Sequence, residues 1–283
     1  MPEDMLAKNL EALEPVDGVD VTVSDKKVRM SRREIIRGLA AGSVVAYGAG
    51  CAYNEELGRS QLLFVSSDRM AQLASSAWTD LKRQEQVTND PRYVNRMRRV
   101  APKIIQASGN NPSQWEVQVF ASKQLNAFAL PGRKIGFYTG ILDIMENDDQ
   151  IATVMGHEVA HVNYNHSGER YSQSTLAQTG LSVAQIASSG SQYSNQIVSV
   201  LGMGASLGVI LPFSRRHELE ADRFGLRYMA RAGYNPNESV RFWQKMSQQK
   251  SGNGAPPEFM STHPSDQTRI AQLQREIALL GQS

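Results

Sequence analysis

The sequence predicts an α+β fold, mainly helical, with a small β-sheet beside one helix that carries paired histidines. Three observations lead there. On either side of the chain's middle, apolar residues recur at helical spacing, as in Leu62, Leu63, Val65, Met70, Leu73, Ala77 and Leu81. Between these stretches "WEVQVF" alternates, and "NAFALPGRKIGFYTGIL" presents two short apolar runs about Pro131-Gly132-Arg133, the pattern of a tight strand pair. Then "MGHEVAHVNYNH", Met155 to His166, opens with His-Glu-x-x-His on what reads as a helix.

In chain order, residues 1–29 are mixed in charge and carry no motif; they read as a long leader, or Met30 as the true start. "MSRREIIRGLAAGSVVAYGAGC", from Met30 to Cys51, has the three parts of an export signal: a basic start, an apolar run and a small-residue exit. Its Arg32-Arg33 resembles the twin-arginine pattern, and "GAGC" resembles a lipoprotein cleavage box that would make Cys51 the acylated first residue. The apolar run from Gly38 to Gly50 is too short for a permanent membrane span. Residues 1–50 therefore read as a leader and 51–283 as one domain, tethered by a lipid on Cys51 to a bacterial membrane facing the periplasm. Ala52, rather than an acidic residue, follows the cysteine and favours the outer membrane by resemblance to sorted lipoproteins.

From Glu55 to Ala107 the chain reads as helix, broken at Asn89-Asp90-Pro91. Trp115–Phe120 reads as a strand. A helix should begin at Asn147 or Asp148, polar caps ahead of Ile151, Val154 and Met155. Tyr171 to Ser214 holds no charged residue and no histidine. It is read as helices packed beside the motif helix, with a membrane-facing or mobile flap as the alternative. "SRRHELEADRFGLRYMARAGYNP" is a helix stopped by Gly233 and Pro236, and "STHPSDQTRI" turns into a last helix.

At 283 residues and 41% hydrophobic content the chain can bury a core without a cofactor. A net charge of +2 supplies no basic field of the kind nucleic acid requires, so nucleic acid is set aside as a partner. A single cysteine excludes an internal disulfide and a cysteine-ligated zinc knuckle.

Four residues along a helix turn the side chain by about 40°, so His157 and His161 can face one ion, with Glu158 on the same side. A hydrolytic zinc site needs three protein ligands, a place for water and a carboxylate beside that water. The pentapeptide supplies two ligands and the base. His166 reads as a solvent-facing helix-end residue. A better third ligand is Glu218, which shares a helix face with Asp222; Asp222 could then accept the second N–H of a ligand imidazole.

"GHEVAH", "SRRHELEADRFG" some fifty residues later and "STHPSDQTRI", with "NAFALPG" and "YTGIL" upstream, resemble the zinc metallopeptidase family 48 of HtpX, the CAAX prenyl endopeptidase and the mitochondrial overlapping-activity protease. The likeness runs from about Gly58 to the C-terminus and matches the short periplasmic branch, with Arg133 standing where the family has glycine. It implies a zincin-like fold, one zinc ion per chain on His157, His161 and Glu218, and Glu158 as general base toward the water. Two further assignments are weaker in kind. His263 could stabilise an oxyanion, or simply cap a turn from which Pro264 starts the last helix. Asn126, Ala127, Phe128 and Ala129 could offer a sheet edge to an extended substrate, or form a core strand. The expected function is a zinc-dependent endopeptidase acting on exported envelope proteins that are misfolded or unassembled. Its rival is a membrane-tethered, chaperone-like or binding lipoprotein with a non-catalytic metal site.

Overall fold

The computed structural model describes residues 19–23, 26–30, 51–179, 213–249, 257–264 and 267–281. The expected export segment, residues 31–50, and most of the charge-free stretch, residues 180–212, lie outside them. So does most of the "KSGNGAPPEF" loop.

Two hairpins come first. β1 (Val19–Val23) pairs with β2 (Lys26–Met30), and β3 (Cys51–Asn54) with β4 (Arg59–Leu62). The second corrects the expected helix from Glu55. Leu57 N–H donates to Asn54 Oδ1 and Gly58 takes φ +66°, so a turn forms where the apolar spacing alone suggested helix. Helix α1 (Ser67–Gln84) starts instead at the Ser66 cap, and α2 (Pro91–Ala107) at Asp90, with Pro91 in the first turn where its missing N–H costs nothing.

The sheet holds β5 (Glu116–Phe120), β6 (Ala127–Leu130) and β7 (Lys134–Tyr138) in the order β5-β7-β6, the first pair parallel and the second antiparallel. The β6–β7 turn carries Gly132 at φ +81° and Arg133 at φ +64°; the arginine thus takes a left-handed conformation that glycine adopts more cheaply. Alternation sorts the side chains to two faces. Phe120, Phe128, Leu130 and Tyr138 pack with Met70, Trp78 and Leu81 of α1. Val119, Ala127, Ala129, Ile135 and Phe137 pack with α2 and with the histidine-bearing helix.

That helix, α4 (Asp148–Asn163), follows the short α3 (Thr139–Ile144) and begins at the Asn147 cap, where the sequence placed it. After it come α5 (His166–Thr179), α6 (Arg215–Arg231), α7 (Asn237–Gln248), α8 (Glu258–Thr262) and α9 (Gln267–Leu280). The last helix thus starts at Gln267 rather than at Pro264, and His263 caps the C-terminus of α8. Among the described residues, no helix is long and apolar enough to cross a membrane.

Candidate metal centre

Helices α4 and α6 touch backbone to backbone. A Cβ on Gly156 would stand 2.9 Å from the Gly225 carbonyl oxygen, so only glycine permits this approach. The crossing sets His157 and His161 of α4 against Glu218 and Asp222 of α6, both carboxylates lying on one face four residues apart. From α8's end, His263 closes the group. His157, Glu158, His161, Glu218 and His263 are each exposed by 2% or less.

Four donor atoms converge. His161 Nε2 lies 3.0 Å from His157 Nε2 and 3.4 Å from Glu218 Oε1. His263 Nδ1 lies 3.2 Å from His157 Nε2 and 3.0 Å from Glu218 Oε1. A tetrahedral zinc with bonds of about 2.0–2.1 Å separates its donors by about 3.3–3.4 Å, so these four separations come within a few tenths of an ångström of that ion's, and all four donor atoms lie within 4.8 Å of one another. The donor set suits zinc chemically as well, two or three imidazoles with one carboxylate. Glu158 Oε1 is buried with no hydrogen-bond partner among the described residues, and His263 Nε2 is 3.5 Å away. An orphaned carboxylate oxygen at the wall of a nitrogen and oxygen cage is what a reactive water or a cation would satisfy.

The charges around the cage are arranged to keep Glu218 ionised. Burial raises its carboxyl, but Arg269, His263 and His157 hold it well below the ordinary range. Burial pushes Glu158 up, helped by the charge on Glu218 and only partly opposed by His263, His157 and Arg269. His157 is pulled down by burial and up by Glu218, and rises to about 9 in the metal-free chain. His161 is driven well down by burial.

Asp222 Oδ1 sits 3.0 Å from His157 Nδ1, in the position the sequence suggested for it. Arg269, which sequence reasoning missed, anchors this carboxylate through Nε at 2.6 Å and Nη2 at 2.8 Å. Its Nη1 also lies 2.7 Å from Glu218 Oε2 as an ion pair without hydrogen-bond alignment, and its guanidinium stacks 3.6 Å from the Trp243 ring centre. The signal for it was faint: one arginine in "SDQTRI" on a helix whose spacing looks like a surface helix.

The reading of His166 as solvent-facing is wrong. After the Tyr164 cap of α4, Asn165 at φ +49° turns the chain so that α5 begins at His166, whose imidazole is fully buried. Burial holds it down to about 4, against the pull of Glu220.

Above the cage, Phe213 stacks on His161 at 4.0 Å and on His263 at 5.2 Å between ring centres, with the Arg170 guanidinium 3.8 Å from the Phe213 ring centre. Strand β6 is an edge in the described sheet and packs along α4, yet Asn126, Ala127, Phe128 and Ala129 are all buried. Asn126 Oδ1 has no hydrogen-bond partner among the described residues. The strand is thus an edge by pairing and core by burial. Cys51 stands at the first pair of the β3–β4 hairpin.

A helix bearing His-Glu-x-x-His, crossed by a second helix that supplies a glutamate, beside a small mixed sheet, defines a metallopeptidase. The model of the family described as Peptidase family M48 matches residues 91–277. Its relatives agree. The mitochondrial metalloendopeptidase OMA1 of Schizosaccharomyces pombe is 31% identical over 243 residues, 85% of this chain and 70% of its own length. Its Arabidopsis thaliana counterpart is 30% identical over 86% of this chain, which spans 49% of that protein. The beta-barrel assembly-enhancing protease of Escherichia coli is 24% identical over 65% of this chain, which spans 38% of it. The chain belongs to peptidase family M48, and it is a metallopeptidase that acts on protein or peptide substrates.

Proposed function

We propose that this peptidase is zinc-dependent and that it cleaves exported envelope proteins that are misfolded or unassembled, from a lipid tether at Cys51. Residues 51–283 would act as one catalytic domain behind a leader of residues 1–50. The observation that carries the zinc reading is the cage itself, four buried donors within 4.8 Å of one another beside Glu158 Oε1, which has no hydrogen-bond partner among the described residues.

His157, His161 and Glu218 would hold the ion. When bound, zinc polarises a peptide carbonyl and acidifies water. Glu158 takes the proton from the attacking water and hands it to the departing amine, a transfer its buried carboxyl serves from a raised starting affinity for protons. Asp222 keeps the Nδ1 proton of His157 in place and so presents Nε2 to the ion. The β6 edge from Asn126 to Ala129 would pair with an extended substrate backbone once the groups burying it move aside. His263 has two faces: Nδ1 joins the donors, and Nε2 points toward Glu158. We assign it to oxyanion stabilisation, for which Nε2 is the available atom.

The decisive experiment is cleavage of an unfolded protein by the full chain and its Glu158→Gln form, with zinc content measured on both. Zinc in both and cleavage only by the parent is expected. Equal cleavage would remove Glu158 from its role. One observation favours the rival reading of a non-catalytic site: with His263 Nδ1 the cage already has four donors, the number of a closed structural site. His263→Ala separates the two. A fall in kcat with zinc retained supports the oxyanion role in an active enzyme, whereas zinc lost with His263 from a parent that cleaves nothing makes His263 the fourth ligand of a closed, non-catalytic site. For the tether, a Cys51→Ser form should leave the membrane fraction while keeping its peptidase activity. A mature parent with an unmodified Cys51 would rule the anchor out.

A further inference from the structure

His157 has a carboxylate, Asp222, behind its outer nitrogen, but His161 has another imidazole there. His161 Nδ1 lies 2.9 Å from His166 Nδ1, and His166 Nε2 lies 3.1 Å from Glu220 Oε2. Glu220 is gripped at both oxygens by Arg59 of β4, through Nε at 2.6 Å and Nη2 at 2.7 Å. The same guanidinium binds Glu169 at 2.7 and 2.9 Å, and Glu169 faces His217 at 3.2 Å. His217 in turn stacks on His166, with ring centres 4.7 Å apart and planes 19° from parallel.

These contacts admit one proton arrangement if His161 is a ligand. A neutral imidazole that offers Nε2 to an ion carries its proton on Nδ1. That proton must point at His166 Nδ1, which is then the acceptor. His166 therefore carries its own proton on Nε2 and donates it to the Glu220 carboxylate. The other orientation would set two N–H groups, or two bare lone pairs, against each other at 2.9 Å inside a buried site. We propose that His166, Glu220 and Arg59 are positioning residues that fix the tautomer and orientation of His161 toward the metal, so that the β3–β4 hairpin after Cys51 is tied into the metal centre. This rests on the reading of His161 as a zinc ligand. Each ligand imidazole then ends on a carboxylate of α6, His157 directly on Asp222 and His161 through His166 on Glu220.

The test uses the full chain, with zinc affinity measured by competition against a chromophoric chelator and thermal unfolding of the metal-free form as the control for packing. In an asparagine, Oδ1 stands where the imidazole has Nδ1, whereas in a glutamine the terminal amide stands where it has Nε2. His166→Asn therefore keeps an acceptor for His161, and His166→Gln keeps contact with Glu220 but loses His161. His166→Phe, which loses both, should weaken zinc by about 10- to 100-fold, the usual scale for such support. His166→Gln should fall with it, and His166→Asn should stay near the parent. A packing role predicts the reverse order, because glutamine fills more of the space. In the cobalt-substituted protein, the shifted N–H resonance of one ligand imidazole should move in the His166 and Glu220→Leu forms while that of the other, bonded to Asp222, stays. Should the His166 variants fail to fold, Glu220→Leu decides, at a side chain that keeps 13% exposure where the three buried imidazoles have almost none, with an expected loss of about tenfold in affinity. Parent affinity in Glu220→Leu, or asparagine no better than glutamine, would overturn the proposal. A parent that binds no zinc would overturn the zinc reading and this proposal with it, whereas equal zinc in parent and all variants would overturn this one alone.

Discussion

Gly156→Ala should damage the metal centre more than the fold. An added Cβ would stand 2.9 Å from the Gly225 carbonyl oxygen and 3.2 Å from its Cα, both backbone atoms that cannot swing aside. Carbon atoms rest at about 3.5–4.0 Å, so α4 and α6 must part by roughly 0.3–0.8 Å. The neighbouring residue is His157, and its partners Asp222 and Glu218 ride on the helix being displaced. Metal bonds tolerate errors of only about 0.2 Å, so zinc affinity should fall at least about tenfold, ~1.4 kcal/mol. Stability responds less, because two effects oppose each other. Overpacking costs about 1–3 kcal/mol, while replacing glycine by alanine inside a helix returns about 1 kcal/mol. The net loss is roughly 0–2 kcal/mol, a drop of at most about 8 °C in the Tm of a domain this size. Chelator competition measures the first quantity and metal-free thermal unfolding the second. A variant that binds zinc like the parent and melts higher would show that the helices have slack at this crossing, and the reasoning would fail.

Three other perturbations follow from the same geometry. Asp222→Ala should weaken zinc by about 10- to 100-fold without abolishing binding, since His157 keeps its place but loses the acceptor for Nδ1; undiminished affinity in a chelator titration would return Asp222 to a purely structural role with Arg269. Phe213→Ala removes the ring stacked on His161 and His263, so cleavage of an unfolded protein should speed up at unchanged zinc content; slower turnover would mean that the ring serves the substrate rather than covering the site. Glu169 is raised by burial, but His217, Arg59 and Gln61 hold it net far below its ordinary 4.5. A carboxylate depressed in the folded state contributes stability above its unfolded value and loses it as pH falls through the folded one. The metal-free protein should therefore lose stability progressively below about pH 4.5, and Glu169→Gln, weaker at neutral pH, should lose less over that range; parallel acid-unfolding curves would contradict this.

What the sequence made legible and what it hid divide along a physical line. His157, Glu158 and His161 span little more than one helical turn, and so do Glu218 and Asp222, so the 3.6-residue period places each set on a face before any tertiary contact is known. Strands β5 to β7 were legible because their alternation mirrors two different packing partners, α1 on one face and α2 with α4 on the other. The hairpin of β3 and β4 was not, because Leu62 and Leu63 fall in register with the apolar stripe of α1 and extend its apparent period backwards across a turn. Arg59, Glu169, His217 and Glu220 were not legible either. Each looks like an ordinary surface charge in its own segment, and Arg59 lies 161 residues from the Glu220 it grips. Their burial becomes affordable only when all of them meet, since an ion taken from water alone costs several kcal/mol and is repaid only by a satisfied partner. Nor does a period reveal Arg269, whose position beneath Glu218 and Asp222 follows from charge instead. With Glu158 added, three carboxylates are buried around two ligand imidazoles, and such a group requires a fixed cation beside the exchangeable one. The chain supplies it from the last helix, the one element whose apolar spacing gave no hint that it closes the site.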